Sequence, residues 1–281
     1  MSLPTLPHSL SEKSFEWLRA FFERESGIHL RPEKKMLVIS RLQKRLEARA
    51  IAGFEDYCAL LQSPDEEEER AQLLDALTTH ETYFFRDPRQ FAHLGRVALP
   101  GFRHTPLRIW SAACSTGEEV WSLAMQLADH FGLQGWELIG SDISHHALHH
   151  AARALYPLER LDHLPGHCLK AYCRKGIADY SGKFLIGRPL RERVQFRTHN
   201  LLEEPGEFGK FDVIFLRNVL IYFDTARRRH ILHKVCGQLR PGGYLYLGEA
   251  ESMMDLPAYM SPAGQASVFR HLHADKKEST A

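Results

Sequence analysis

The chain lacks the features that mark secreted, membrane-spanning or strongly charged proteins. Cysteine is scarce, with five residues in 281. Cys58, Cys114, Cys168, Cys173 and Cys236 are odd in number, scattered and without a Cys-x-x-Cys pair, which excludes a disulfide framework or a zinc knuckle as the organising device. No run of about 18 apolar residues occurs. The N-terminal segment MSLPTLPHSLSEKSFEW has neither the basic start nor the apolar stretch of an export signal. Charge of one sign is missing too: 36 Lys and Arg face 35 Asp and Glu, a formal net of +1, so no global field advertises nucleic acid or a membrane surface. Reduced thiols, a cytoplasmic location and no membrane insertion are expected. What is present is the composition of an ordinary globular protein, long enough to bury one large core or two smaller ones.

From Ser11 to about Phe85 the pattern is helical. Apolar residues recur at spacings of three and four: Phe15, Leu18 and Phe22, then Ile39, Leu42 and Leu46, then Leu73, Leu74 and Leu77. The run Ser63-Pro64-Asp65-Glu66 reads as a helix start, with Ser63 as cap, Pro64 in the first turn and the acids at the positive end of the helix dipole. The acids from Asp65 to Glu69 then need no partner. After Pro106 the period changes. Short apolar runs suited to buried parallel strands (LRIWSAA, WELIGSD, FDVIFLRN, GYLYLGEA) alternate with helical stretches (EEVWSLAMQLADHF, SHHALHHAARALY, TARRRHILHKVCGQL), which predicts a doubly wound α/β sheet. Between about 172 and 196 the rhythm breaks: Tyr180–Ile186 and Val194–Phe196 look like strands with no helix between them, and a small β insertion is expected there.

Chemistry gathers at the carboxyl ends of the predicted strands, where ligands sit in open α/β sheets. The first strand runs into Ala113-Cys114-Ser115-Thr116-Gly117 and then a helix opening with Glu118-Glu119. Small residues let a ligand approach the backbone, and Gly117 adopts a positive φ at little cost. This is not a G-x-G-x-x-G turn, and two carboxylates at the helix start would repel a pyrophosphate, so a cationic or neutral ligand fits better than NAD. The second strand ends at Asp142, which suits ribose hydroxyls, the bland alternative being a cap for the next helix. Asn200, Arg217 and Asn218 fall at the third and fourth edges, where an adenine ring and an amino-acid moiety could be read.

Four blocks then carry a resemblance. Thr78–Asp87 (TTHETYFFRD), Trp110–Glu119 (WSAACSTGEE), Leu216–Asp224 (LRNVLIYFD) and Leu239–Gly243 (LRPGG) are similar, in order and over nearly the whole chain, to the signature blocks of the CheR family of chemotaxis protein-glutamate methyltransferases. The resemblance implies a small all-helical N-terminal domain over 1–86 that recognises the receptor, a linker over 87–106, and a Rossmann-like SAM-dependent methyltransferase domain over 107–275 with an antiparallel β insertion. It implies that His80, Thr82, Arg86, Glu119, Asp142, Asn200, Leu201, Arg217 and Asn218 contact S-adenosylmethionine (SAM), with S-adenosylhomocysteine as product, and that Arg86 and Tyr222 flank the transferred methyl. His80 stands where the family commonly has Asn. Methyl transfer from a sulfonium is an in-line displacement in which positioning supplies much of the catalysis. A glutamate, with an ordinary pKa of about 4.3, is already the anion and needs no base. Arg86 and Tyr222 are suited to hold that carboxylate.

Arg31 to Arg49 carries seven basic residues against Glu33 and Glu47. Arg41, Arg45 and Arg49 recur every four residues and form one stripe on a helix, with Lys44 beside it. A solvated face is the bland reading; in the family resembled, the receptor helices are glutamate-rich, and the stripe would complement them. Family members that hold a C-terminal receptor tether tend to carry two glycines separated by one residue in the β insertion. Arg174–Gly182 lacks that pattern, so tether-independent recognition is expected; separately, the protein is expected to be a monomer. His145, His146, His149 and His150 give two i, i+4 pairs on one helix, but no third ligand follows at convincing spacing, and no metal is expected. The competing readings are a SAM enzyme acting on a small molecule or nucleic acid, a non-catalytic SAM-binding adaptor, and an NAD-dependent dehydrogenase.

Overall fold

The computed structural model describes residues 9–251 and 255–272. The chain divides into two compact units, Met1–Thr79 with Tyr222–Asp224, and His80–Ile221 with Thr225–Ala281.

The first unit is helical: α1 (Glu12–Ser26), α2 (Lys35–Ala48), α3 (Phe54–Leu60) and α4 (Glu67–Leu77). The Ser11 hydroxyl caps α1 by accepting from the Ser14 N–H at 3.2 Å, and Gly27 ends the helix at φ 74°, a left-handed position that costs glycine little. The period read from the sequence turns Phe15, Leu18, Phe22, Leu42, Leu46 and Leu73 into one core around the buried Tyr57. The start of α4 differs from expectation. It begins at Glu67 with no side-chain cap, and Ser63-Pro64 stays in the preceding turn. There Arg70 ties the turn down by donating to the carbonyls of Ser63 and Pro64 at 2.6 and 3.1 Å, a tertiary anchor that no local signal advertises.

In the second unit α5 (Pro88–His93), a π turn (Leu94–Ala98) and α6 (Leu99–Gly101) precede β1 (Leu107–Ala112), and Phe91, Leu94, Ala98 and Leu99 are buried in the main core. Then follow α7 (Glu118–Phe131), β2 (Trp136–Asp142), α8 (His145–Arg153), β3 (Leu155–Pro157), α9 (Gly166–Tyr172), β4 (Cys173–Lys175), β5 (Lys183–Ile186), α10 (Arg188–Arg191), β6 (Val194–Thr198), β7 (Phe211–Leu216), α11 (Thr225–Gly237), β8 (Leu239–Leu247), β9 (Met260–Pro262) and β10 (Val268–His271). Strand order in the main sheet is β6-β2-β1-β7-β8-β10-β9. The first five strands are parallel, and β10 and β9 run antiparallel at the far edge. The sheet is doubly wound, as the alternation of runs predicts. Every residue of β7 is buried, including Asp212, whose carboxylate is met by Arg240 at 2.9 Å and the Arg108 N–H at 2.7 Å; an acid survives in a central strand only when so matched.

The β insertion is real, and Lys183–Ile186 within the expected Tyr180–Ile186 forms its central strand, but the strands beside it are not the one expected. The small antiparallel sheet has the order β3-β5-β4, so it draws on Leu155–Pro157 upstream of the expected stretch. Val194–Thr198 leaves it to pair with β2 in the main sheet. Three-residue strands carry too little pattern to read, and partner choice is a tertiary decision.

Candidate active site

The turn between β1 and α7 is built by alternating left-handed residues: Ala113 at φ 60°, Ser115 at 51° and Gly117 at 93°. Two of the three bear a Cβ, so the loop stores strain of the kind found at functional sites. Gly117 is required on two counts, since beyond its φ an added Cβ would lie 2.6 Å from the Ala151 Cβ. The turn folds against the end of β2: the Cys114 N–H donates to the Ser141 carbonyl at 2.8 Å, and the Ser115 N–H donates to Asp142 Oδ2 at 2.8 Å. Asp142 Oδ1 accepts from the Ser144 N–H at 3.0 Å, while the cap of α8 is the Ser144 hydroxyl, which accepts from the Ala147 N–H at 2.9 Å. The buried Asp142 is therefore held in place at the sheet edge by two backbone donors and does not itself cap the helix.

Beside it lies a buried ion pair. Arg217, just past β7, donates from Nε to Glu119 Oε2 at 2.7 Å, and Ser111 donates to Glu119 Oε1 at 2.7 Å. From Nη1 the same guanidinium reaches the Arg86 carbonyl at 2.8 Å, Asp87 Oδ2 at 3.1 Å and Gln90 Oε1 at 3.0 Å. Its side chain is 2% exposed and packs over the Phe91 and Phe215 rings. Arg217 thus ties β1, α7, α5 and the 80–87 segment to one point. Neighbouring Glu118 is also buried, and burial pushes its carboxyl above the ordinary range against the Thr116 hydroxyl, which donates at 2.6 Å.

The other expected residues make the following contacts. His199 donates its N–H to the Asp142 carbonyl at 3.0 Å, which brings Asn200 and the buried Leu201 to the same edge. Asn200 Oδ1 accepts from the Leu202 N–H at 3.1 Å and shapes that turn. Asn218, at φ 58°, donates its N–H to Glu251 Oε2 at 3.0 Å. In the 80–87 segment Thr82 is buried and its carbonyl accepts from Arg160 at 2.7 Å, while the Phe85 N–H donates to the Ser122 hydroxyl at 2.9 Å. Arg86 donates to the Glu81 carbonyl at 3.1 Å and lies 5.5 Å over the Tyr83 ring. His80 is half-buried at the start of the segment. Tyr222 groups with the helical unit, where its carbonyl accepts from the His29 N–H at 3.0 Å.

Ser111, Asp87, Gln90 and Glu251 went unread in the sequence. Ser111 and Asp87 lie inside the blocks quoted above, which was signal enough to find them. Glu251 had none: it sits in a loop after β8, yet it is buried and its carboxylate accepts the N–H groups of Asn218, Val219, Leu220 and Gly248 at 2.6–3.0 Å. Burial pushes its carboxyl up while those four donors pull it down, and burial wins.

The basic stripe has a different setting from the one expected. Arg45 makes a bidentate pair with the buried Glu69 at 2.9 and 2.6 Å, Arg49 donates to Glu66 at 2.6 Å, and Arg41 donates to the Leu77 and Thr78 carbonyls at 2.9 and 2.8 Å. The stripe therefore faces α4; Lys44 is exposed. Four-residue spacing defines a face and leaves open what that face meets.

The residues present suit SAM. Asp142, Glu118 and Glu119 gather at the carboxyl edge of the sheet beside a turn of small residues, and the Ser115 hydroxyl is buried without a partner in the protein, a polar atom that a ligand could satisfy. The family described as "CheR methyltransferase, SAM binding domain" matches residues 80–269, and "CheR methyltransferase, all-alpha domain" matches residues 13–78. The chain is 37% identical over 260 residues to "Chemotaxis protein methyltransferase 2" of Pseudomonas aeruginosa, covering 91% of this chain and 92% of that protein. It is 35% identical to "Chemotaxis protein methyltransferase" of Salmonella typhimurium and 34% identical to the Escherichia coli protein of the same name, in both cases over 92% of this chain and 90% of the relative.

Proposed function

The chain belongs to the CheR methyltransferase family, and from that premise we propose how its residues share the work. The protein is a SAM-dependent methyltransferase whose substrates are chemoreceptors, and it converts their glutamate side chains to methyl esters with release of S-adenosylhomocysteine. When bound, SAM supplies an electrophilic methyl on a positively charged sulfur.

In our reading Asp142 takes the ribose hydroxyls, and Asn200 with Leu201 flanks the adenine. Glu119, Arg217, Asn218, Thr82 and His80 hold the amino-acid end, Arg217 through the ion pair that sets the position of Glu119 and of the Arg86 backbone. Arg86 and Tyr222 orient the substrate glutamate, whose carboxylate is ionised at neutral pH and needs no general base; its desolvation is offset by a charge-assisted hydrogen bond from Arg86. No metal takes part in this transfer. The observation that carries the reading is the acid-lined turn: a buried Asp142 held by the Ser115 and Ser144 N–H groups, beside Glu118 and Glu119, at the carboxyl edge of the sheet.

Recognition falls to the helical unit. With Arg41 and Arg45 tied to α4, the basic surface offered to an acidic receptor helix is Arg31, Lys34, Lys44 and the exposed part of Arg49, with the exposed Met36 among them. We assign no C-terminal tether, nucleic acid or membrane insertion to it, and place a monomeric enzyme in the cytoplasm; among the described residues no helix is long and apolar enough to cross a membrane.

The test is incubation with methyl-labelled SAM and a receptor cytoplasmic fragment, scoring alkali-labile label on glutamate. Arg86→Ala is expected to lower kcat/KM about 100-fold, the usual loss when one preorganised charge-stabilising donor is removed, and Tyr222→Phe about tenfold, the worth of one hydrogen bond. S-adenosylhomocysteine affinity should follow Asp142→Ala far more than Tyr222→Phe. Alkali-stable label, or full turnover by both Arg86→Ala and Tyr222→Phe, would overturn the assignment.

A further inference from the structure

At the end of α7 remote from the Gly117 turn, three side chains of different ligand type bring one donor atom each to a common point. Asp129 lies in the last turn of α7, and His167 and Cys168 lie in the first turn of α9, which leads into β4. His167 Nε2 is 3.0 Å from Asp129 Oδ2, Cys168 Sγ is 3.3 Å from His167 Nε2, and Cys168 Sγ is 3.9 Å from Asp129 Oδ2. Among the described residues this is the one group of three or more such ligands, with all donor atoms within 4.8 Å of one another. We propose that Asp129, His167 and Cys168 form a binding site for a divalent transition metal, zinc being the best-matched ion, that clasps α7 to the β insertion.

Geometry is the main support. In a tetrahedral zinc site with bonds of about 2.0–2.1 Å to N and O and about 2.3 Å to S, ligand atoms lie roughly 3.4–3.6 Å apart. The three measured edges of 3.0, 3.3 and 3.9 Å span that range, so an ion is accommodated with shifts of about half an ångström. A Cys-His-Asp proton relay would need thiol and carboxylate on opposite ring nitrogens; here both face Nε2, so the groups converge on a point and do not form a chain.

The surroundings fit as well. The Tyr172 hydroxyl donates to Asp129 Oδ1 at 2.7 Å, orienting the carboxylate and leaving Oδ2 for the ion, as second-sphere partners of metal ligands do. Cys168 is 1% exposed, whereas the side chains of His167 and Asp129 are 68% and 38% exposed; a water from solvent can complete four-fold coordination. A mixed S, N, O set selects zinc and its neighbours over the oxygen-seeking calcium and magnesium.

Among the described residues the α8 histidines build no such cluster. His145, His146 and His149 are exposed, and His150 stacks edge-on against Tyr156 at 5.2 Å, while Asp129 lies far from His167 along the chain. The proposed ion stands apart from methyl transfer, so it can fail while the reading of the active site stands.

The full-length protein, stripped with a chelator, is titrated with Zn2+ against a chromophoric competitor and separately with Co2+ in the spectrophotometer. One equivalent is expected to bind, with a near-ultraviolet thiolate-to-Co2+ charge-transfer band and a Zn2+-dependent rise in Tm. Cys168→Ser should abolish the band, and Asp129→Asn and His167→Gln should each weaken Zn2+ binding about tenfold or more. These last two change solvent-facing groups, so they keep the test decisive if Cys168→Ser folds poorly. Absence of saturable binding, survival of the band in Cys168→Ser, or affinity unchanged in Asp129→Asn and His167→Gln but lost in the triple variant His145→Ala, His146→Ala, His149→Ala would overturn the site.

Discussion

Each unit of the molecule contains a buried glutamate paired with an arginine, and the two pairs do different things. In the helical unit Arg45 on α2 grips Glu69 on α4 through two nitrogens, and the Tyr57 hydroxyl adds a third bond at 2.8 Å. Burial pushes the Glu69 carboxyl up, but the bonds from Arg45 and Tyr57 outweigh it and leave it below the ordinary range. Arg45 itself keeps 25% of its side chain in solvent. In the methyltransferase unit Arg217 gives only Nε to Glu119 and spends Nη1 on three other acceptors. The first pair is a closed clamp between two helices. The second is a junction that positions several strand-edge segments at once, beside the turn proposed to receive the ligand.

The contrast breaks most clearly at Arg217. Arg217→Ala strands the Glu119 carboxylate in the interior and should cost about 3–5 kcal/mol, measured by urea denaturation, together with loss of S-adenosylhomocysteine binding by calorimetry. Replacing both partners, Arg217→Met with Glu119→Leu, should recover much of the stability, since buried ion pairs often break even against apolar packing, but none of the binding. Recovery of binding in the double variant would show that the junction is mere scaffolding.

Arg45→Ala should cost less, about 2 kcal/mol. Tyr57 still bonds Glu69, Arg49 stands 3.6 Å away, and water can enter where Arg45 was exposed. Affinity for S-adenosylhomocysteine should be unchanged; a parallel loss would erase the distinction between clamp and junction.

The smallest effect sharpens the comparison through pH. His93, His150 and His199 all belong to the methyltransferase unit, and burial lowers the pKa of each. His93 donates from Nε2 to the Ala263 carbonyl at 3.0 Å, so Nδ1 accepts from the Tyr246 hydroxyl at 2.9 Å, the pattern of a neutral ring. Because the folded values lie below the unfolded value of about 6.5, the unfolded chain takes up protons first as pH falls. Stability from these groups is complete above about pH 7 and declines through pH 6.5 toward the depressed values. Tm should fall between pH 7.5 and pH 5.5, and His93→Gln should flatten the fall; an identical slope in wild type and variant would remove His93 from the account.

Much of the site was legible because it is made of short contiguous blocks at strand ends. The step from β1 through Gly117 to Glu119, and Asp142 at the end of β2, carry their chemistry in local order, since a parallel strand leading into a helix fixes where its last residues emerge. Reading failed where a residue's meaning depends on what it meets. Four-residue spacing put Arg41, Arg45 and Arg49 on one face but could not say that α4 covers it. Glu251, in a loop after β8, gives no periodic or motif signal, yet four backbone N–H groups converge on it.

The sequence by itself determined the helical unit, the alternation of strands and helices, the turn at Gly117 and the acids beside it, because 3.6- and 2-residue periods, glycine's access to positive φ and charge at helix starts act over a few neighbouring residues. Tertiary structure alone decided that Val194–Thr198 joins the main sheet, that Arg217 serves four hydrogen-bond acceptors from Nε and Nη1 while Ser63 caps no helix, and that Asp129 meets His167 and Cys168. Those pairings join residues far apart in the chain, and their free energy comes from desolvation and close approach in the folded state, which no local pattern encodes.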